Sequence, residues 1–285
     1  MMDTVAENLR DGARTLMSCS ESPRLDAELL LGKVLGLPRS ALIARGDDRV
    51  AADERRTFID LLERRLDGAP VAYLTGTREF WSLPLTVTPA VLVPRPETEL
   101  LVELALALLP KDRQTSVLDL GTGSGAIALA IASERPHARL TGVDISAPAL
   151  DVAAQNSRDL ALANTEWLPG SWFGAVPDRR FDMIVANPPY IAAGDPALAN
   201  LSKEPAHALN CGATGMEALA AIAAEAPAHL QQNGWLIMEH GSDQASQVAQ
   251  LLERHGFSAV RSHLDFSRNP RVTLGVLHTQ HQEQT

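Results

Sequence analysis

In FDMIVANPPYI, residues 181–191, an apolar run ends abruptly in Asn187-Pro188-Pro189-Tyr190. Asn-Pro and Pro-Pro are ordinary turn signals, and a turn that only closes a buried strand is one reading. The residue types support another, chemistry on a planar nitrogen such as a carboxamide or an exocyclic base amine. The lone pair of such a nitrogen is delocalised, so it is a poor nucleophile that must be oriented for in-line attack and shielded from water. Asn187 supplies a side-chain carbonyl acceptor and Pro188 a backbone one. Two acceptors can hold both hydrogens of one NH2 group, and they gain strength as positive charge develops on the nitrogen. The prolines fix φ and remove N–H donors, which leaves a rigid, acceptor-rich turn. Tyr190 offers a flat face on which a planar amide or base can stack.

A second stretch, VLDLGTGSGAIALA, places Gly121, Gly123 and Gly125, with Thr122 and Ser124 between them, at a strand-to-helix junction. Glycines there let the backbone turn tightly and approach a ligand closely. Asp144 ends the next strand pattern, 19 residues after Gly125, where an acid can accept hydrogen bonds from ribose hydroxyls. Loop, helix and acid together describe a nucleoside-containing cofactor. Gly121-x-Gly123-x-x-Ala126 also meets the loose dinucleotide fingerprint, which keeps NAD in view. Three features favour S-adenosylmethionine. Asp119 precedes the loop as in D-x-G-x-G-x-G, an antiparallel strand is expected near the C-terminus, and Asn-Pro-Pro-Tyr follows the fourth strand, where methyltransferases put catalytic groups.

Such groups need a sheet whose strand ends converge. From residue 97 onward the chain alternates between helix and strand patterns. ETELLVELALALL is helical, with Pro96 placed to start it. SVLDL, ARLTGVDI, FDMIVA and GWLIMEH read as strands, separated by the helical SGAIALAIASE, PALDVAAQNSRDL and GMEALAAIAAEAPAHL, with DQASQVAQLLERHG after the last. This is a doubly wound α/β pattern with a mainly parallel sheet. The last strands, near 257–264 and 271–277, have only DFSRNP between them. That is too short for a crossover, so they are expected to pair antiparallel. Residues 1–75 are helical throughout. Leu25, Leu29 and Leu30 recur at helical spacing in one segment, and Phe58, Leu61, Leu62 and Leu66 mark one face of another that stops at Gly68. TGTREFWSLPLTVTPAVLVPRP, in between, reads as a linking hairpin. The expected division is a helical domain at 1–75, a hairpin linker at 76–95, a seven-stranded Rossmann-like methyltransferase domain at 96–279, and a disordered tail at 280–285.

The bulk numbers set limits. The chain has 285 residues and a net charge of −10. The acid excess argues against a nucleic-acid substrate, which calls for a basic face. No apolar run approaches the roughly 18 residues of a membrane span, and the polar opening MMDTVAENLRDGAR is no secretory signal. With only Cys19 and Cys211 and no paired histidines, neither a disulfide framework nor a metal site is expected, and the cytoplasm fits best. Arg55, Arg56, Arg64 and Arg65 read as a solvated face paired with acids such as Glu54 and Glu63, or as a docking patch. Glu239-His240-Gly241 ends a strand pattern near the same sheet edge, where it either touches the site or serves packing. Arg95 and Glu97 lie near that edge without an assigned role.

Taken in order, SPRLDAELLL, LTGTREFWSLPL, VPRPETE, DLGTGSGAIALA, NPPYI and RVTLG resemble the HemK-type protein glutamine methyltransferases over nearly the whole chain. The resemblance implies methyl transfer from S-adenosylmethionine to the glutamine amide in the Gly-Gly-Gln loop of class I peptide chain release factors, by a cytoplasmic monomer. It implies cofactor contacts from Gly121, Thr122, Gly123, Ser124, Gly125, Asp144, Trp172 (near the adenine) and Asn187. Asn187, Pro188, Pro189 and Tyr190 would form the glutamine pocket, with Asn187, Pro188 and Tyr190 catalytic. Trp172 enters only through the resemblance. A paralogous glutamine methyltransferase acting on a large-subunit ribosomal protein shares these motifs, and VPRPETE favours the release factor substrate. Ser202 and Lys203 depart from the family pattern, in a loop expected to border the substrate entrance. An adenine-amine methyltransferase of DNA or RNA, and a binding scaffold without turnover, are the other readings.

Overall fold

The computed structural model describes residues 3–278, so the expected tail at 280–285 lies outside the described residues. The chain divides into two compact units, with the break between Thr77 and Arg78. Among the described residues no helix is long and apolar enough to cross a membrane.

The first unit consists of α1 (Val5–Thr15), α2 (Pro23–Leu35), α3 (Arg39–Ala44), α4 (Ala52–Leu66) and α5 (Val71–Thr75). A capping box starts α1: the Thr4 hydroxyl accepts from the Glu7 N–H, and the Glu7 carboxylate from the Thr4 N–H. Pro23 opens α2, and Gly36 closes it in the left-handed conformation (φ 63°), which glycine adopts without steric cost. Leu9, Leu16, Leu30, Leu31, Phe58, Leu61 and Leu62 form the core. Two expected faces need correction. Leu25 and Leu29 are 37% and 40% exposed, because α2 packs through Ala27, Leu30 and Leu31 instead. Three leucines in succession leave the buried face unspecified until partner helices choose it. Leu66, the last residue of α4, is 42% exposed. Three of the four arginines are paired, though with Asp3 (Arg55, 2.9 Å), Asp60 (Arg64, 3.9 Å) and Asp26 (Arg65, 3.0 Å). Glu54 is spent on the Ala51 N–H instead.

A hairpin, β1 (Thr77–Phe80) and β2 (Leu83–Thr86), begins at the break and lies in the second unit from Arg78 onward. Trp81 (φ 52°) and Ser82 (φ 58°) take the two left-handed positions between its strands, as a two-residue hairpin matched to strand twist requires. Pairing ends at Thr86, so residues 87–95 of the expected hairpin are irregular. A 3₁₀ turn, Pro96–Thr98, precedes α6 (Glu99–Leu108). There follow β3 (Thr115–Leu120), α7 (Ala126–Glu134), β4 (Ala138–Asp144), α8 (Ala147–Asp159), β5 (Thr165–Pro169), β6 (Phe181–Ala186), α9 (Ala197–Asn200), α10 (Glu217–His229), β7 (Leu230–Glu239), α11 (Ala245–Arg254), β8 (Phe257–Leu264) and β9 (Pro270–Leu277). The sheet order is β5-β4-β3-β6-β7-β9-β8, parallel except for β9, which runs antiparallel to both neighbours.

Buried residues of β3 and β6 face both ways: Val117, Met183 and Val185 pack with α6 and α7, whereas Leu118, Leu120, Ile184 and Ala186 pack with α10 and α11. Burial on both faces explains the unbroken apolar runs. β3 lies where the strand order reverses, and ligands of open α/β sheets bind beside such a point. The register pairs Leu120 with Val143 on one side and with Ala186 on the other. Gly121, Asp144 and Asn187 therefore leave three adjacent strands at one level.

Candidate active site

Beyond β3 the backbone turns through Gly121 (φ 71°), Gly123 (φ 54°) and Gly125 (φ 80°). The Gly121 and Thr122 N–H groups both donate to the Val143 carbonyl, at 2.8 and 3.0 Å, which ties the loop to the end of β4. The two oxygens of Asp144 accept from the Gly123 N–H and the Ser146 N–H, each at 2.9 Å. The carboxylate is thereby fixed, with lone pairs left for a ligand. At Gly123 an added Cβ would meet nothing within 4 Å, so its backbone angle, rather than crowding, calls for glycine. At Gly125 a Cβ would lie 3.0 Å from the Trp167 ring and 3.2 Å from Ala153, so this glycine serves packing. Below the loop, Asp119 accepts from the Thr122 hydroxyl at 2.6 Å. Burial pushes Asp119 up to about 7, and Thr122 opposes the shift.

Gly121, Gly123, Asp144, Ile145, Trp172 and Asn187 line an open cleft of about 760 Å³. Thr122, Ser124 and Gly125 are absent from its wall; they shape the loop from beneath. Trp172 holds a left-handed backbone (φ 45°) in a short 3₁₀ turn, Trp172–Ala175. Its ring lies 3.7 Å from where a Gly121 Cβ would stand. Sequence reasoning on this chain's residues had no independent signal for it, since a tryptophan in a loop reads equally as core.

Asn187 to Tyr190 line an adjoining pocket of about 470 Å³, together with Leu92, Arg95 and Glu239. Leu92, Asn187, Pro189 and Ala208 belong to both walls, so Asn187 stands where the two spaces meet. Its amide N–H donates to the Thr98 hydroxyl at 3.1 Å, which turns its carbonyl oxygen away from Thr98. The Tyr190 hydroxyl donates to Glu239 Oε1 at 3.3 Å. Burial, reinforced by the Glu239 charge, raises the Tyr190 pKa. Glu239 is itself pushed up to about 7 by burial, against the Thr98 hydroxyl, the Arg271 charge and the Tyr190 hydroxyl. The Gln244 amide donates to the Tyr190 carbonyl at 3.1 Å. Gly215 passes so close that a Cβ there would lie 2.4 Å from that oxygen.

Gln244 and Glu204 carried no motif, and Thr98, inside VPRPETE, had no assigned role. Glu204 is buried, pairs with Arg95, and accepts from the Val93 N–H at 3.0 Å, which gives Arg95 the anchor its sequence position did not reveal. His240 is fully buried, with Nε2 2.7 Å from the Thr273 hydroxyl and Nδ1 2.8 Å from the Gly241 carbonyl. It lines neither of the two spaces.

Residues 7–76 match the family model described as the PrmC N-terminal domain, and residues 97–212 that of the methyltransferase small domain. The release factor glutamine methyltransferase of Yersinia pestis is 49% identical over 258 residues, 90% of this chain and 93% of that one. The protein of the same name from Coxiella burnetii is 43% identical over 273 residues, 96% of this chain and 99% of that one. A solved methyltransferase from Pyrococcus furiosus, 17% identical, superposes with a TM-score of 0.54 over 77% of this chain and 99% of that one, a likeness of fold alone. With relatives this similar across nearly the full length of both chains, this chain belongs to the release factor glutamine methyltransferase family.

Proposed function

We propose that the chain transfers a methyl group from S-adenosylmethionine to the side-chain amide nitrogen of the glutamine in the Gly-Gly-Gln loop of class I peptide chain release factors. The observation that carries this reading is the place of Asn187, shared by the glycine-loop cleft and the Tyr190 pocket. The chain's residues suit the cofactor. Gly121 and Gly123 leave open backbone on the cleft wall, Asp144 can accept two ribose hydroxyls, and Trp172 and Ile145 offer apolar faces to a planar base. When bound, the cofactor supplies an electrophilic methyl on a sulfonium. Asn187 Oδ1 and the Pro188 carbonyl accept the two amide hydrogens and so aim the nitrogen. The Thr98 contact fixes which end of the Asn187 amide faces the substrate. Tyr190 stacks on the amide plane, and its hydroxyl contact with Glu239 keeps the ring from swinging away. These interactions strengthen as charge builds on nitrogen, so they lower the barrier more than they tighten ground-state binding.

On this reading residues 1–75 recognise the protein substrate, and the chain works as a cytoplasmic monomer. The net charge of −10 supports a protein substrate over nucleic acid. Mass spectrometry of an unmethylated release factor incubated with the chain and S-adenosylmethionine tests it. One added methyl on the Gly-Gly-Gln glutamine is expected. An unmodified glutamine, with cofactor binding demonstrated, would send the chemistry to another substrate.

A further inference from the structure

The turn between β8 and β9, residues 265–269, is held by hydrogen bonds of its own backbone and of Asp265. The Asp265 N–H donates to the Asn269 carbonyl and Asp265 Oδ1 accepts from the Asn269 N–H, both at 2.9 Å. The Arg268 N–H, at φ 63°, donates to the Asp265 carbonyl at 2.9 Å. Asp265 Oδ2 takes Arg271 Nε at 3.3 Å. Among its exposed residues, Ser267, Arg268 and Asn269 are polar, but Phe266 is 92% exposed, and Leu264 at the end of β8 54%. Isolated exposed hydrophobics need no explanation, but an aromatic fixed on a preorganised turn does.

Its position suggests one. β9 runs antiparallel to β7, with Val272 opposite Glu239. The turn before β9 therefore sits at the carboxyl edge of the sheet, where Asn187–Tyr190 leave β6. Arg271 joins the two places, since it holds Asp265 on the turn and reaches at 3.4 Å the carbonyl of His240, the residue after Glu239 of the pocket wall. A pocket of about 470 Å³ cannot enclose a protein surface, so most of a protein substrate has to lie over the surrounding edge. We propose that Phe266, with Leu264, is the apolar anchor that seats the release factor surface flanking the reactive glutamine. The proposal rests on the function proposed above. An aromatic on a backbone-bonded turn suits such a contact because little backbone freedom is lost on docking.

The test is steady-state kinetics of Phe266→Ser and Phe266→Leu on an intact, unmethylated release factor. Phe266→Ser is expected to raise KM for the release factor about tenfold or more, the usual cost of truncating an aromatic anchor. It should leave kcat, cofactor affinity and thermal midpoint unchanged, and Phe266→Leu should recover most of the loss. An unchanged KM in Phe266→Ser overturns the proposal. So does an unchanged KM accompanied by dissociation of a dimer in sedimentation, which would make a second copy of this chain the occupant. A wild-type chain inactive on the release factor would instead overturn the functional reading, and this proposal with it.

Discussion

Asn187 carries one side-chain oxygen and an NH2 group, and one N–H of that group is held by Thr98. That bond orients the amide, and its oxygen is the acceptor for a substrate amide. Asn187→Ala is accordingly expected to slow methyl transfer by roughly 10²–10³-fold, the usual cost of removing one preorganised polar contact. Cofactor affinity should change far less, because the glycine loop and Asp144 keep their own bonds to β4. Single-turnover rates and a binding titration separate the two, and near-normal turnover would rule out the acceptor role. Asp144 poses the converse case. Its carboxylate is oriented by the Gly123 and Ser146 N–H groups, so Asp144→Asn places a donor where acceptors are needed. The expected loss of cofactor affinity is roughly 1.5–3 kcal/mol, as for a hydrogen bond to a charged group, with the methyl-transfer step on saturated enzyme much less affected. A Kd equal to that of wild type would remove Asp144 from the ribose site.

The elements that place these residues hang on a buried amide. Asn156 of α8 accepts from the Thr86 N–H at 2.7 Å and donates to the Thr86 carbonyl at 3.0 Å and the Ser124 carbonyl at 2.9 Å. It thus clamps the end of β2 and the glycine loop to one helix. Asn156→Ala would leave those groups without their partner, at about 1–3 kcal/mol for each one buried and unsatisfied. The urea midpoint should fall by the equivalent of at least about 2 kcal/mol, and cofactor binding should weaken without any change at the cleft wall. A midpoint shift below about 0.5 kcal/mol, the range of ordinary surface substitutions, would show that the clamp does not matter. Asn156 also shows where sequence reading stops. The glycine loop, Asp144 and Asn-Pro-Pro-Tyr could be located because each sits at the end of an apolar run with fixed local spacing, and the order of strands and helices followed from the same runs. Asn156 lies in the middle of an ordinary helix, 70 residues from Thr86, and no local pattern ties the two. Thr98 and Glu239 meet their partners at Asn187 and Tyr190 only after the sheet has formed. β5 escaped for another reason: Thr-Glu-Trp-Leu-Pro is a half-exposed edge strand without an apolar run, and its existence depends on β4 beside it. Leu25 and Leu29 misled because a helix rich in leucine does not declare which stripe its neighbours will cover.

Across the molecule, the buried acids of the site also bear on folding. Asp119 and Glu239 lie in the second unit, and burial pushes each up to about 7 from ordinary values of 3.8 and 4.5. Between those ordinary values and about 7 the folded chain keeps protons that the unfolded chain has released. Stability must therefore fall as pH rises through that window. Two histidines, His240 buried and His263 half-buried, act in the opposite sense. His240 and His263 are held below their ordinary 6.5 by burial. Below pH 6.5 the unfolded chain binds the extra protons, and stability is lost as pH drops further. Above 6.5 the carboxyls dominate. Lowering the pH from 8 to 6.5 should stabilise the cofactor-free chain by about 1–2 kcal/mol for the pair of acids, with little further gain, or a reversal, below 6.5. Denaturant unfolding at a series of pH values measures this. Glu239→Gln supplies the internal control: it keeps an acceptor for the Tyr190 hydroxyl, should raise stability at pH 8, and should shrink the rise toward 6.5. A wild-type midpoint that is flat or climbs from 6.5 to 8 would mean that the two acids are ionised in the folded chain, and that the pocket around Tyr190 holds a full negative charge before any substrate arrives.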